Sequence, residues 1–272
     1  MRTGTNALPF VDTTVARLML SRMELTHQEC GISVISGPWG IGKTTAIDAF
    51  AGRHECECAV VKVEPGATKR GATAGGVMQR VVEELRRLHD RPLGTQLSNA
   101  TWTLRSMIFS LLSELFLYNA YDAEAWPNPP RFTFIFDEAQ YLSKEAIDLL
   151  RFWNDHDRTT TPFPVGLIFV GNNEFALAES LGGESVLSGA VRSRLLFEVP
   201  LAYTHINDTD LTLFAQSRGV TDAGALREFV AYFSQARIKR DLRQAERLLD
   251  ICRREAPEGK VTADVVRELL PA

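Results

Sequence analysis

The stretch ISGPWGIGKTTAIDAF, Ile35 to Phe50, limits what this 272-residue chain can fold into more than any other. Gly37 to Thr44 fits GxxxxGK[ST], and it stands between a short apolar run at residues 31–36 (GISVIS) and a helical pattern. Glycines at this spacing let backbone N–H groups close around phosphate oxygens, and a helix starting near Gly42 turns its positive end toward them. Pro38, Trp39, Gly40, Ile41 and Thr45 complete the loop. Lys43 suits the charge of the β- and γ-phosphates and Thr44 suits Mg2+, so ATP and Mg2+ are the expected ligands.

A strand feeding such a loop needs a parallel sheet around it. Residues 59–63 (AVVKV), 132–139 (FTFIFDEA), 165–172 (VGLIFVGN) and 195–201 (LLFEVPL) are again short, apolar and continuous rather than alternating, as strands covered on both faces are. Helical patterns such as residues 75–90 and 101–120 separate them, the order of crossover helices joining parallel strands. Beyond residue 202 the chain is helical, punctuated by Gly219, Gly224, Pro257 and Gly259. We therefore expect an α/β nucleotide-binding domain over residues 1–201, its parallel sheet flanked by helices, followed by a small all-α lid over 202–272.

Composition narrows the setting. No apolar run approaches the roughly 20 residues that span a bilayer, and the first thirty residues lack the apolar block of a secretion signal, so no membrane contact and a cytoplasmic location are expected. Cys30, Cys56, Cys58 and Cys252 form no CxxC pair and the sequence has no clustered histidines, which speaks for reduced structural thiols and against zinc. A net charge of −4 argues against coating nucleic acid by bulk electrostatics, so any DNA contact needs a local basic patch.

The strand Phe132 to Phe136 delivers Asp137 and Glu138 to its carboxyl end, where open α/β sheets bind ligands. Asp137 suits a second Mg2+ anchor and Glu138 the base that polarises an attacking water.

With the strand VGLIFVGNN and the later SGAVRSRL, these features resemble the AAA+ ATPases over about residues 8–250. The resemblance implies a water-positioning sensor at Asn172, with Asn173 as competitor. It also implies an arginine reaching the γ-phosphate of a neighbouring subunit, Arg194 or else Arg192; the plainer alternative for either alone is a surface arginine paired with an acid. RDLRQAERLL resembles the family's second sensor helix, and position by position this points to Arg243, with Arg240 and Arg247 close by. Phe10 and Val11, in LPFVDTTVAR, resemble the segment that closes over adenine.

The succession IFDEAQYLSKEAIDLLRFWNDH then GLIFVGNNEF is similar to the transposition regulators of the phage MuB and TnsC type. That resemblance implies ATP-driven self-association into a ring or helical filament on double-stranded DNA without sequence preference. It also implies a DDE-type transposase and a target-selection protein as partners. Only about thirty residues precede the first strand, so DNA contact is expected on the ATPase domain itself. Thr68, Lys69, Arg70 and Thr73, after the second strand, combine hydroxyls and charge as phosphate-holding loops do, and Arg105 adds a second candidate. The rival readings are a helicase-loader or other replication-type ATPase, and an ATP-controlled protein-association switch that binds no nucleic acid.

Overall fold

The computed structural model describes residues 9–65, 72–90, 100–116, 130–155, 163–173, 187–256 and 259–270. They divide into two compact units, Leu20–Gly37 with Ile47–Pro200, and Met1–Met19 with Pro38–Ala46 and Leu201–Ala272.

The larger unit is a five-stranded parallel sheet. Its strands are β1 (Ile32–Ser36), β2 (Cys58–Lys62), β3 (Phe132–Asp137), β4 (Val165–Gly171) and β5 (Leu195–Pro200), in the order β2-β3-β4-β1-β5. All five fall on the runs read as strands, within a residue or two at each end. Every residue of β1, β3 and β4 is buried, which explains their largely apolar character. Edge strand β5 alternates instead, with Leu196 and Glu198 outward.

Helices α1 (Thr14–Glu29) and α2 (Lys43–Arg53) each begin in the smaller unit and end in the larger. The larger unit adds α3 (Ala74–Leu88), α4 (Thr101–Leu115), α5 (Lys144–Asn154) and the short α6 (Gly189–Arg192). Val77, Met78, Val81, Val82 and Leu85 of α3, spaced for one helix face, are buried in the same core as Phe132, Phe134, Phe136 and Trp153. Ser143 caps α5 through its hydroxyl, which accepts from Ala146 N at 3.1 Å.

The smaller unit carries α7 (Asp208–Ser217), α8 (Ala223–Phe233), α9 (Leu242–Glu255) and α10 (Ala263–Leu269). Asp210, buried in α7, accepts from Thr14 N at 2.8 Å and from Asn207 N at 3.0 Å. Arg218 donates to Glu246 at 2.7 Å and to the carbonyl of Pro9 at 3.3 Å. These bonds hold the amino-terminal residues 9–14 to the helices of their own unit.

Among the described residues no helix is long and apolar enough to cross a membrane.

Candidate active site

The loop Pro38–Gly42 runs from β1 into α2, with Gly40 at φ 75° and Gly42 at φ 94°, backbone settings that glycine adopts without penalty. Gly40 is constrained on a second ground, because a β-carbon there would stand 1.8 Å from Asp241 Oδ1 and displace that side chain. Asp241 caps α9, accepting from Arg243 N at 2.8 Å, and the next residue, Leu242, donates its N–H to the Gly40 carbonyl at 2.8 Å. The start of α9 thus rests on the glycine loop, and exposed Arg243 follows directly.

Lys43 Nζ donates to the Pro38 carbonyl at 2.9 Å, folding the side chain back over the loop. Thr44 and Thr45 face solvent in the first turn of α2, while Ile41 is buried and anchors the loop. Trp39 is exposed at the loop's tip, and its carbonyl accepts from the Tyr203 hydroxyl at 3.0 Å. Burial raises the Tyr203 pKa, with Asp241 adding to the shift and Arg243 opposing it, so this donor keeps its proton. Phe10 is partly exposed and Val11 half-buried.

At the carboxyl end of the sheet, Asp137 stands opposite Val170 of β4, Ser36 of β1 opposite Gly171, and Gly37 donates to the Gly171 carbonyl at 3.2 Å. Gly37, Asp137 and Asn172 therefore line one edge. Asp137 is buried, and its Oδ1 accepts from Glu138 N at 3.0 Å.

Glu138 takes the left-handed conformation at φ 60°, ψ 40°. A non-glycine residue there costs about 1 kcal/mol or more, a strain that clusters at functional positions. The turn redirects the chain at the end of β3 into a single 3-10 turn, Ala139–Tyr141.

Gln140 was not singled out from the sequence, yet it joins two residues that were. Its Nε2 donates to Glu138 Oε2 at 2.5 Å, while its Oε1 accepts from Asn172 N at 3.1 Å. The signal lay in DEAQ, where a polar amide two residues past the carboxylate falls inside the same turn. Asn172 is buried and Asn173 exposed, which separates the two sensor candidates.

Arg194, 41% exposed, pairs through Nε with Asp155 Oδ1 at 2.8 Å and donates to the Ala190 carbonyl at 3.0 Å. Arg151 holds the other oxygen of Asp155 at 2.8 Å. Within one chain Arg194 is thus a surface arginine paired with an acid, and Arg192 is exposed at the end of α6. Arg240 binds the Ile206 carbonyl at 2.7 Å and Asp208 at 2.6 Å, contacts that hold its own unit together, whereas Arg247 is exposed.

Of the DNA candidates, Thr68, Lys69 and Arg70 lie outside the described residues. Thr73 caps α3, accepting from Gly76 N at 3.2 Å, and Arg105 is half-buried on α4.

A family model described as an AAA domain matches residues 26–177, just over half of the chain. No curated protein matches. Among solved structures, the chain is similar to Cdc6p from Pyrobaculum aerophilum, with 14% identity and TM-score 0.63, covering 98% of this chain and 68% of that one. It is similar to a RuvB variant from Thermotoga maritima at 16% identity and TM-score 0.53, covering 96% and 69%. It is also similar to a chain of Drosophila ORC bound to DNA, at 17% identity and TM-score 0.51, covering 98% of this chain and 63% of that one. The fold is that of an AAA+ P-loop protein, and the chain belongs to the AAA domain family.

Proposed function

We propose that this protein is an ATP-dependent, DNA-binding regulator of DNA transposition. It assembles as a ring or helical filament on duplex target DNA, recruits and activates a transposase, and disassembles when ATP is hydrolysed to ADP and phosphate.

The observation that carries the ATPase reading is the glycine loop at the start of α2, with Gly40 and Gly42 at positive φ and no room for a side chain at Gly40. The residues present fit Mg2+: a solvent-facing hydroxyl at Thr44 and a buried carboxylate at Asp137 are the oxygen donors that ion takes. When bound, Mg2+ supplies charge neutralisation for the β- and γ-phosphates. Backbone N–H groups of residues 39–44 hold the phosphates, with Lys43 turning from the Pro38 carbonyl to the γ-phosphate. Glu138 takes the proton of the attacking water, and Asn172 orients that water. Arg194, leaving Asp155, or its neighbour Arg192 reaches the nucleotide of an adjacent subunit, while Arg243 serves its own.

The DNA part rests on the MuB and TnsC resemblance and is supported by the likeness to a DNA-bound ORC chain. A filament repeats Thr68, Lys69, Arg70, Thr73 and Arg105 once per subunit, so a modest patch grips DNA despite the acidic total.

The deciding experiment measures ATP turnover with and without duplex DNA, beside electron microscopy with a non-hydrolysable ATP analogue. Duplex-stimulated turnover and analogue-dependent filaments are expected. Preference for single strands would move the reading to a helicase-loader type, and turnover indifferent to all DNA would move it to a protein-association switch. Stimulation by a transposase encoded beside this gene tests the transposition assignment itself.

A further inference from the structure

At the opposite, amino end of the sheet, residues far apart in sequence converge. Helix α1 brings Glu24 and His27, the turn after α2 brings His54 and Glu57 just ahead of β2, and β3 brings Thr133. His27 Nε2 lies 3.5 Å from Glu57 Oε2, and His54 Nδ1 lies 3.1 Å from the same oxygen. A tetrahedral zinc with bonds of about 2.05 Å has ligand atoms about 3.3 Å apart along its edges, so both separations fit one ion between three ligands. These three are the residues whose donor atoms all come within 4.8 Å of one another.

The other nitrogen of each ring is occupied. His27 Nδ1 is 3.0 Å from the Thr133 hydroxyl, and His54 Nε2 is 2.8 Å from Glu24 Oε2. Glu24 is in turn held by Gln28, which donates to its Oε1 at 3.0 Å. Such outer partners fix ring orientation and tautomer in zinc sites and leave the inward nitrogen free to ligate. Phe50 packs on both rings, at 4.4 Å from His54 and 6.1 Å from His27, and closes one wall with apolar surface.

The Glu57 side chain is 50% exposed against 6% for His27, so the cluster opens to solvent on the glutamate side.

We propose that His27, His54 and Glu57 bind one zinc-class divalent cation, which clips the carboxyl ends of α1 and α2 to the entrance of β2. Two imidazoles and one carboxylate suit Zn2+ or Co2+; Mg2+ and Ca2+ take all-oxygen sites, so this cation is distinct from the nucleotide's.

The test uses the full chain, freed of nucleotide and stripped by chelator, titrated with Zn2+ against a chromophoric competitor and with Co2+ by visible absorption. One equivalent is expected, with a tetrahedral-type Co2+ spectrum and no thiolate charge-transfer band. Glu57→Gln and His54→Gln should each weaken Zn2+ at least about tenfold, while Asp137→Ala leaves it unchanged. Should a histidine variant fail to fold, Glu57→Gln, changed at a half-exposed position, decides alone. Absence of a saturable equivalent, full affinity in folded Glu57→Gln, or a charge-transfer band from a cysteine would each overturn the proposal.

Discussion

At the carboxyl ends of β3 and β4 the polar groups run in a chain along the sheet edge, from Asp137 through Glu138 and Gln140 to Asn172. At the amino ends of the same sheet they face one another. Asp137, Glu138, Gln140 and Asn172 are chained by short bonds and held partly in a strained turn, whereas His27, His54, Glu24 and Glu57 close on themselves around a single carboxylate oxygen. On the proposed function, the contrast is between an edge whose residues serve turnover and an edge where similar residue types tie the ends of α1 and α2 to the sheet.

If that division holds, substitutions at the carboxyl edge alter rate and those at the amino edge alter stability. The largest effect is expected from Glu138→Gln, which removes the proposed base but puts an amide of the same shape in the same turn. Turnover should fall about 10²–10⁴-fold with ATP affinity retained; normal turnover would remove Glu138 from its role. Next, Gly40→Ala forces a methyl group onto Asp241 and a positive φ onto alanine. Together these cost about 3 kcal/mol, read as lost thermal stability and lost ATP binding measured by fluorescence of a nucleotide analogue. Unchanged nucleotide affinity would show that the start of α9 does not shape the loop.

Gln140→Ala comes third. Its amide holds both Glu138 and Asn172, so its loss should lower kcat about tenfold, the worth of one charge-assisted bond, and leave KM for ATP in place. A matching rise in KM would mean that Gln140 supports binding rather than the orientation of base and water.

The same division explains what could be read before folding. The glycine loop, the DE pair and Asn172 each lie at the end of a buried apolar strand, so motif and secondary structure point to the same spot within a few residues. Gln140 was missed because the left-handed turn at Glu138, which swings its amide back toward Asn172, has no marker such as glycine. The histidine cluster was illegible for a different reason. Its spacing, His27 to His54 to Glu57, is set by how α1 and α2 return to the sheet, and the absence of close pairs in sequence had argued against any zinc site. Arg194 looked like a finger by its motif; its pairing with Asp155 depends on α5 ending where it does, a tertiary fact.

The smallest effect tests the amino edge alone. Thr133 is fully buried in β3, and its hydroxyl lies 3.0 Å from His27 Nδ1. Thr133→Val keeps shape and β-branching while leaving His27 Nδ1 without that partner in a dry place. The expected cost is about 1–2 kcal/mol of unfolding free energy by chemical denaturation. Turnover per folded molecule should stay as it was, since Asp137 lies four residues further along the same strand at the other edge. Because the hydroxyl orients a proposed ligand, Zn2+ affinity should drop about tenfold with it. A Thr133→Val protein that kept its stability but lost turnover would reverse the assignment of the two edges, tying the histidine end of β3 to the chemistry at Asp137.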